Sequence, residues 1–134
     1  MTRIDEIEGI GAVYSKKLEA AGIQSVEALL REAATPKGRK ELEAKTGIGH
    51  QKILRWVNQA DLFRIKGIAR QYTELLEKAD VDSFLELAER NPEHLHAKLA
   101  EVNDAHHHVK VVPRAEHVKH WVEEAKALPR VVQY

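Results

Sequence analysis

Three short stretches of the chain pair glycine with basic residues in a way suited to holding an anion. They are Ile7-Glu8-Gly9-Ile10-Gly11, Gly47-Ile48-Gly49 and Lys66-Gly67-Ile68-Ala69-Arg70. Glycine permits positive φ and lets a ligand come close to the main chain, while a helix starting just after such a turn offers free N–H groups and the positive end of its dipole. A phosphate fits that arrangement. The second stretch is the strongest candidate, because Lys45, Lys52 and Arg55 lie near Gly47, Ile48 and Gly49. In the third stretch the corresponding residues are Lys66, Gly67 and Arg70, with Arg64 just before them and alanine in place of the second glycine. In the first, Lys16 and Lys17 follow along the helix, but Asp5, Glu6 and Glu8 crowd the turn and repel a phosphate. That turn is read as a joint between helices.

Other chemistries find less support. Seven of the eight histidines fall between residues 94 and 120, and His117 and His120 are three apart on an expected helix, where two imidazoles share a face. His106 or His108 would have to join them to make a metal site. No carboxylate or cysteine completes a recognised ligand set, so no metal and no cofactor is assigned. The chain has no nucleophile-elbow, Walker-type loop or Ser-His-Asp pattern, and its carboxylates are scattered, so a non-catalytic protein is expected.

Composition narrows the class. With 134 residues, 43% apolar and 31% charged, the chain is long enough to bury a core. It has no cysteine, no basic-then-apolar leader and no apolar run near the ~18 residues of a membrane span, which points to a soluble, cytoplasmic protein with no membrane partner. Its 21 basic and 21 acidic residues cancel, whereas a protein that coats DNA is usually basic. The distribution is uneven, however. Between Lys37 and Arg55, six basic residues (Lys37, Arg39, Lys40, Lys45, Lys52, Arg55) face only Glu41 and Glu43.

The elements that must position these residues come in two sets. Ile7-Glu8-Gly9-Ile10 returns as Ile65-Lys66-Gly67-Ile68, and at the same spacing Tyr14, Leu18, Glu19, Ala21, Ser25 and Leu29 meet Tyr72, Leu76, Glu77, Ala79, Ser83 and Leu87. Thr35-Pro36 is matched by Asn91-Pro92, and Trp56-Val57 by Trp121-Val122. Ser25, Thr35 and Asn91 read as helix N-caps, the last two before a proline at the first helical position. The final helices of the two sets run from about His50 to Leu62 and from about Arg114 to Leu128. The stretch between Pro92 and Trp121 is about nine residues longer than its partner and has no glycine. Only "VKVV" at 109–112 and the tail "RVVQY" look strand-like, and both are taken as loop or edge. The repeated aromatics read as core anchors.

The pattern apolar-x-Gly-apolar-Gly followed by an amphipathic helix resembles the helix-hairpin-helix motif. Its paired and duplicated use across almost the whole chain is similar to a bacterial domain-of-unknown-function family with tandem helix-hairpin-helix units. The resemblance implies an all-α fold of two tandem four-helix units, residues 1–64 and a diverged 65–134 with an inserted His-rich loop, joined rigidly at the apolar Leu62, Phe63 and Ile65. It also implies sequence-independent binding of a DNA or RNA phosphate backbone, carried by the second turn and then the third. The alternative is a protein-protein interaction or scaffold domain that has lost nucleic-acid binding. No small-molecule substrate is expected.

Overall fold

A computed structural model of the chain describes residues 1–107 and 109–134. Among the described residues there are eight α-helices and one 3-10 turn, Ile4–Glu6, and the only β-type pairing is an isolated bridge between Arg3 and Ser25. The helices are α1 (Ala12–Ala20), α2 (Val26–Glu32), α3 (Pro36–Thr46), α4 (His50–Leu62), α5 (Arg70–Lys78), α6 (Phe84–Glu89), α7 (Pro92–His106) and α8 (Ala115–Ala127). None is long and apolar enough to cross a membrane. The chain divides into two compact units, Met1–Asp61 with Arg130–Tyr134, and Leu62–Pro129.

Capping side chains set four of the eight helix starts among the described residues. Ser25 and Ser83 accept hydrogen bonds from the N–H groups of Ala28 and Glu86, and both sit in nearly the same extended conformation (φ −144°, ψ 161° and φ −146°, ψ 163°). Thr35 accepts from Gly38 and Asn91 from Glu93 and His94, each ahead of a proline whose fixed φ suits the first helical turn. The long stretch after Pro92 is partly helix: with no glycine or proline before Pro113 to stop it, α7 runs on to His106. Its exit is held by the buried Asn103. The side-chain amide of Asn103 donates to the Val109 carbonyl (3.0 Å) and its oxygen accepts from the Val109 N–H (2.9 Å). His94, His96 and His106 therefore stand on α7 and His117 and His120 on α8, while His108 lies outside the described residues.

In the first unit the buried side chains include Ile7, Leu18, Ile23, Leu29, Ile53 and Trp56. The tail 130–134 joins this unit through a buried arginine. Arg39 is only 2% exposed, and its guanidinium donates to the carbonyls of Ala33 (3.1 Å), Ala34 (3.0 Å) and Gln133 (2.6 Å), while the Gln133 N–H donates back to Ala34. Burial draws its pKa down and the charge at Tyr134 draws it up. Tyr134 adds a hydrogen bond from its hydroxyl to Asn58. The sequence count that placed Arg39 among surface cations is corrected here: its charge serves three main-chain carbonyls at a helix end and in the tail.

The second unit closes on Leu75, Leu76, Leu87, Leu95, Leu99, Val118, Trp121 and Val122, with Leu62 and Ile65 in the same cluster. Here α6 and α7 pack on α8, and α5 packs on α7.

Arg39→Met retains a similar apolar stem but removes every donor. Urea unfolding should show a loss of about 3 kcal/mol, because charge-assisted hydrogen bonds to buried carbonyls are lost together. A loss below about 1 kcal/mol would show that Arg39 does not anchor the tail.

Candidate anion-binding turns

In each unit the first turn is built against a tryptophan. Gly9 has φ +95° and Gly67 φ +93°, a region that L side chains rarely occupy. A Cβ on Gly9 would lie 3.4 Å from Trp56 Nε1, and one on Gly67 would lie 3.2 Å from Trp121 Nε1. Beside each indole stands a tyrosine from the following helix, with ring centroids 5.1 Å apart for Tyr14 and Trp56 and 5.3 Å for Tyr72 and Trp121. The tryptophans are buried and the tyrosines half-buried. Apolar anchors complete the turns, with Ile7, Ile10, Ile65 and Ile68 all buried.

The second position of these turns behaves differently. Gly11 (φ −91°, ψ −167°) and Ala69 (φ −124°, ψ −175°) are both extended N-cap residues, so alanine serves there without strain. The alanine that breaks the Gly-Ile-Gly pattern of the third turn thus leaves its backbone conformation intact.

The turn between α3 and α4 is exposed at its glycines and anchored by Ile48, which is 2% exposed. Gly47 caps α3 in the left-handed conformation (φ 73°, ψ 7°), and Thr46 Oγ1 accepts from the Ile48 N–H. Gly49 accepts the first helical hydrogen bond of α4 from Ile53, is not left-handed, and has open space where a Cβ would point. With no side chain it caps nothing. The first turn of α4 contains no acidic residue.

The candidate cations are dispersed by the packing. Lys52 and Arg55 lie on α4 and reach the first turn rather than staying with the second. Lys52 Nζ stands 5.7 Å from the Tyr14 ring centroid, Lys17 Nζ 6.0 Å from it, and Arg55 Nη1 is 3.1 Å from the Cβ position of Gly9. Lys45 lines another groove, of about 250 Å³, together with Gly22, Glu32, Glu41 and Leu42. In the second unit Arg70 opens α5 and is exposed, and Lys66 and Gly67 edge a cavity of about 380 Å³ with Tyr72, Pro113, His117, His120 and Trp121. Arg64 is tied down by a hydrogen bond to the Pro129 carbonyl (2.8 Å) and a cation–π contact with Phe84. Tyr14, read from the sequence as a core anchor, is half-buried, and the cavity beside Trp121 had no counterpart in the sequence reading. The signal was there in the spacing back from each tryptophan, where Lys52 and Arg55 are matched by His117 and His120.

His120 Nε2 is 3.0 Å from a Glu124 carboxylate oxygen, and Glu124 also accepts a long hydrogen bond (3.5 Å) from the Lys66 N–H. Among the described residues no three histidine, aspartate or glutamate side chains gather closely enough to hold a metal ion.

Among the described residues the protein is all-helical, with glycine-bearing turns ahead of α1, α4 and α5. The chain belongs to the domain-of-unknown-function family DUF4332, which it matches over residues 8–128. No curated protein and no solved structure matches it.

The two glycine positions should separate in stability measurements. Gly9→Ala is expected to cost about 2 kcal/mol through backbone strain and crowding of the indole, whereas Gly11→Ala should cost less than about 1 kcal/mol. Thermal or urea unfolding checks both, and equal losses would contradict the assignment of strain to the first glycine alone.

Proposed function

We propose that the two units are copies of one helix-hairpin-helix unit, and that the protein is a non-catalytic module that grips the phosphate backbone of DNA or RNA without reading its sequence. The duplication is supported by the matched backbone at Gly9 and Gly67 and at Ser25 and Ser83, and by the two Tyr–Trp pairs. Domains 1–64 and 65–134 are then the two copies, and a cysteine-free chain suits the cytoplasm where nucleic acid is met.

The observation that carries the binding reading is the distribution of helix caps. Helices α2, α3, α6 and α7 have their first N–H groups satisfied by Ser25, Thr35, Ser83 and Asn91. Helices α1, α4 and α5, which follow the glycine-bearing turns, have no such side-chain cap and no carboxylate in the first turn. Helix α8 also lacks a side-chain cap but carries Glu116 in its first turn. Uncapped amide donors and open space at Gly49 suit a phosphate oxygen. Main-chain donors of this kind contact phosphate and not base edges, so they confer affinity without sequence preference. Lys45, Lys52, Arg55, Lys66 and Arg70 would supply positive charge for neighbouring phosphates, and Gly67 would allow close approach to the main chain.

Fluorescence anisotropy with a labelled duplex and a labelled single strand, across a salt series, tests the reading. Binding should weaken linearly in log salt with a slope of about −2 to −3, as for about three neutralised phosphates. Gly49→Asp is the informative variant. Its carboxylate would cap α4 internally, so the melting temperature should hold or rise while affinity falls at least about tenfold. Unchanged affinity in a folded Gly49→Asp protein, or no binding at low salt, would overturn the reading in favour of a protein-binding scaffold.

A further inference from the structure

The two units differ at the one place where their local geometry is otherwise closest. Beside Gly9, the guanidinium of Arg55 occupies the space next to the indole, with Nη1 3.1 Å from the Cβ position. The residue at the same step before the other tryptophan is His120, and it turns to the Glu124 carboxylate at 3.0 Å. Nothing then fills the space beside Gly67. The result is the cavity of about 380 Å³, walled by Tyr72, Pro113 and Trp121 and edged by Lys66, His117 and His120.

Trp121 is 3% exposed, and its indole N–H has no hydrogen-bond acceptor among the described residues. That N–H lies against Gly67, which forms part of the cavity wall. The N–H is not sealed from solvent, so an acceptor on a ligand would take the place of water there. One wall of the cavity is held by a side-chain amide. Asn103 clamps Val109 from both sides and so fixes the loop that delivers the buried Pro113.

We infer that this cavity in the second unit binds a small flat aromatic anion of the size and chemistry of a nucleoside monophosphate. The wall and rim chemistry select that class. The half-buried Tyr72 offers aromatic surface to a ring, Trp121 contributes only its N–H to meet a ring nitrogen or carbonyl acceptor, and Lys66 at the rim faces the anionic group. Glu124 is held by His120 at 3.0 Å, which leaves the Lys66 ammonium as the cation of the rim. The volume is at the lower end for ligand sites, enough for one ring system and its charged group. The inference does not depend on backbone binding, because it uses none of the residues at Gly47 to Gly49.

Titration of the ¹⁵N-labelled full chain with adenosine 5′-monophosphate and uridine 5′-monophosphate, read on the two indole N–H resonances, tests it. The Trp121 resonance should shift saturably with a dissociation constant of about millimolar or tighter, while the Trp56 resonance stays in place. Inorganic phosphate alone should shift it much less. His120→Arg places in the second unit the side chain that closes the first. It should weaken nucleotide binding at least about tenfold although it adds positive charge, whereas simple attraction of an anion predicts tighter binding. If His120→Arg fails to fold, Lys66→Glu at the exposed rim should weaken binding by a similar factor. The inference is overturned if neither nucleotide moves Trp121, if phosphate moves it equally, or if His120→Arg binds more tightly. Gly49→Asp separates the two proposals, since it should leave this titration unchanged.

Discussion

Each unit depends on one contact, that of a buried indole against the backbone of a left-handed glycine. A side chain at Gly67 would crowd Trp121, one at Gly9 would meet Arg55 beside Trp56, and at both the positive φ is strained for any residue with a Cβ, so glycine is what lets the last helix of the unit meet the first turn. The rest follows from that approach. Once the indole is fixed, the tyrosine one turn into the next helix packs on it, and the isoleucines on either side of the glycine become buried. Burial of a tryptophan and its aliphatic neighbours supplies several kcal/mol, which short helices of nine residues or fewer cannot obtain from their own hydrogen bonds.

The same contact brings chemistry from distant parts of the chain together. Residues one and four positions before each tryptophan are carried to the first turn because they share the exposed side of the final helix. In the first unit these are Arg55, which lies beside Gly9, and Lys52, which with Lys17 stands over the half-buried Tyr14. In the second they are His120 and His117, smaller and weaker bases, and a cavity opens in their place. The first unit therefore places cations over its tyrosine, whereas the second leaves a recess beside its tryptophan. The buried Arg39 shows the opposite fate for a cation. Three carbonyls claim it, and it serves the fold of the first unit by holding the chain's last residues.

Much of the helical framework was legible in the sequence because helix ends obey local rules. Ser25, Thr35 and Asn91 announce helix starts, prolines 36 and 92 strengthen two of them, and the span His50–Leu62 agrees with its apolar spacing. The region after Pro92 was harder to read. Extra length without glycine suggested a loop, yet residues through His106 had no reason to leave the helix. Candidate sites were less legible still. Lys45, Lys52 and Arg55 are close along the chain, but Lys45 faces a groove with Glu32 and Glu41 while Lys52 and Arg55 face Tyr14 and Gly9. Only nearness in sequence had joined them.

The sequence by itself determined the all-helical character, the capped helix starts and the exposed turns, since a hydroxyl before a helix, a proline at its first turn and a glycine at its end act within four residues. Tertiary structure alone decided which cations reach the surface, which turn each of them serves and where a recess is left beside an unpaired indole N–H. Those outcomes depend on which helix faces meet across tens of residues, and a basic side chain has the same sequence signature whether it ends in solvent, over a ring or on a buried carbonyl.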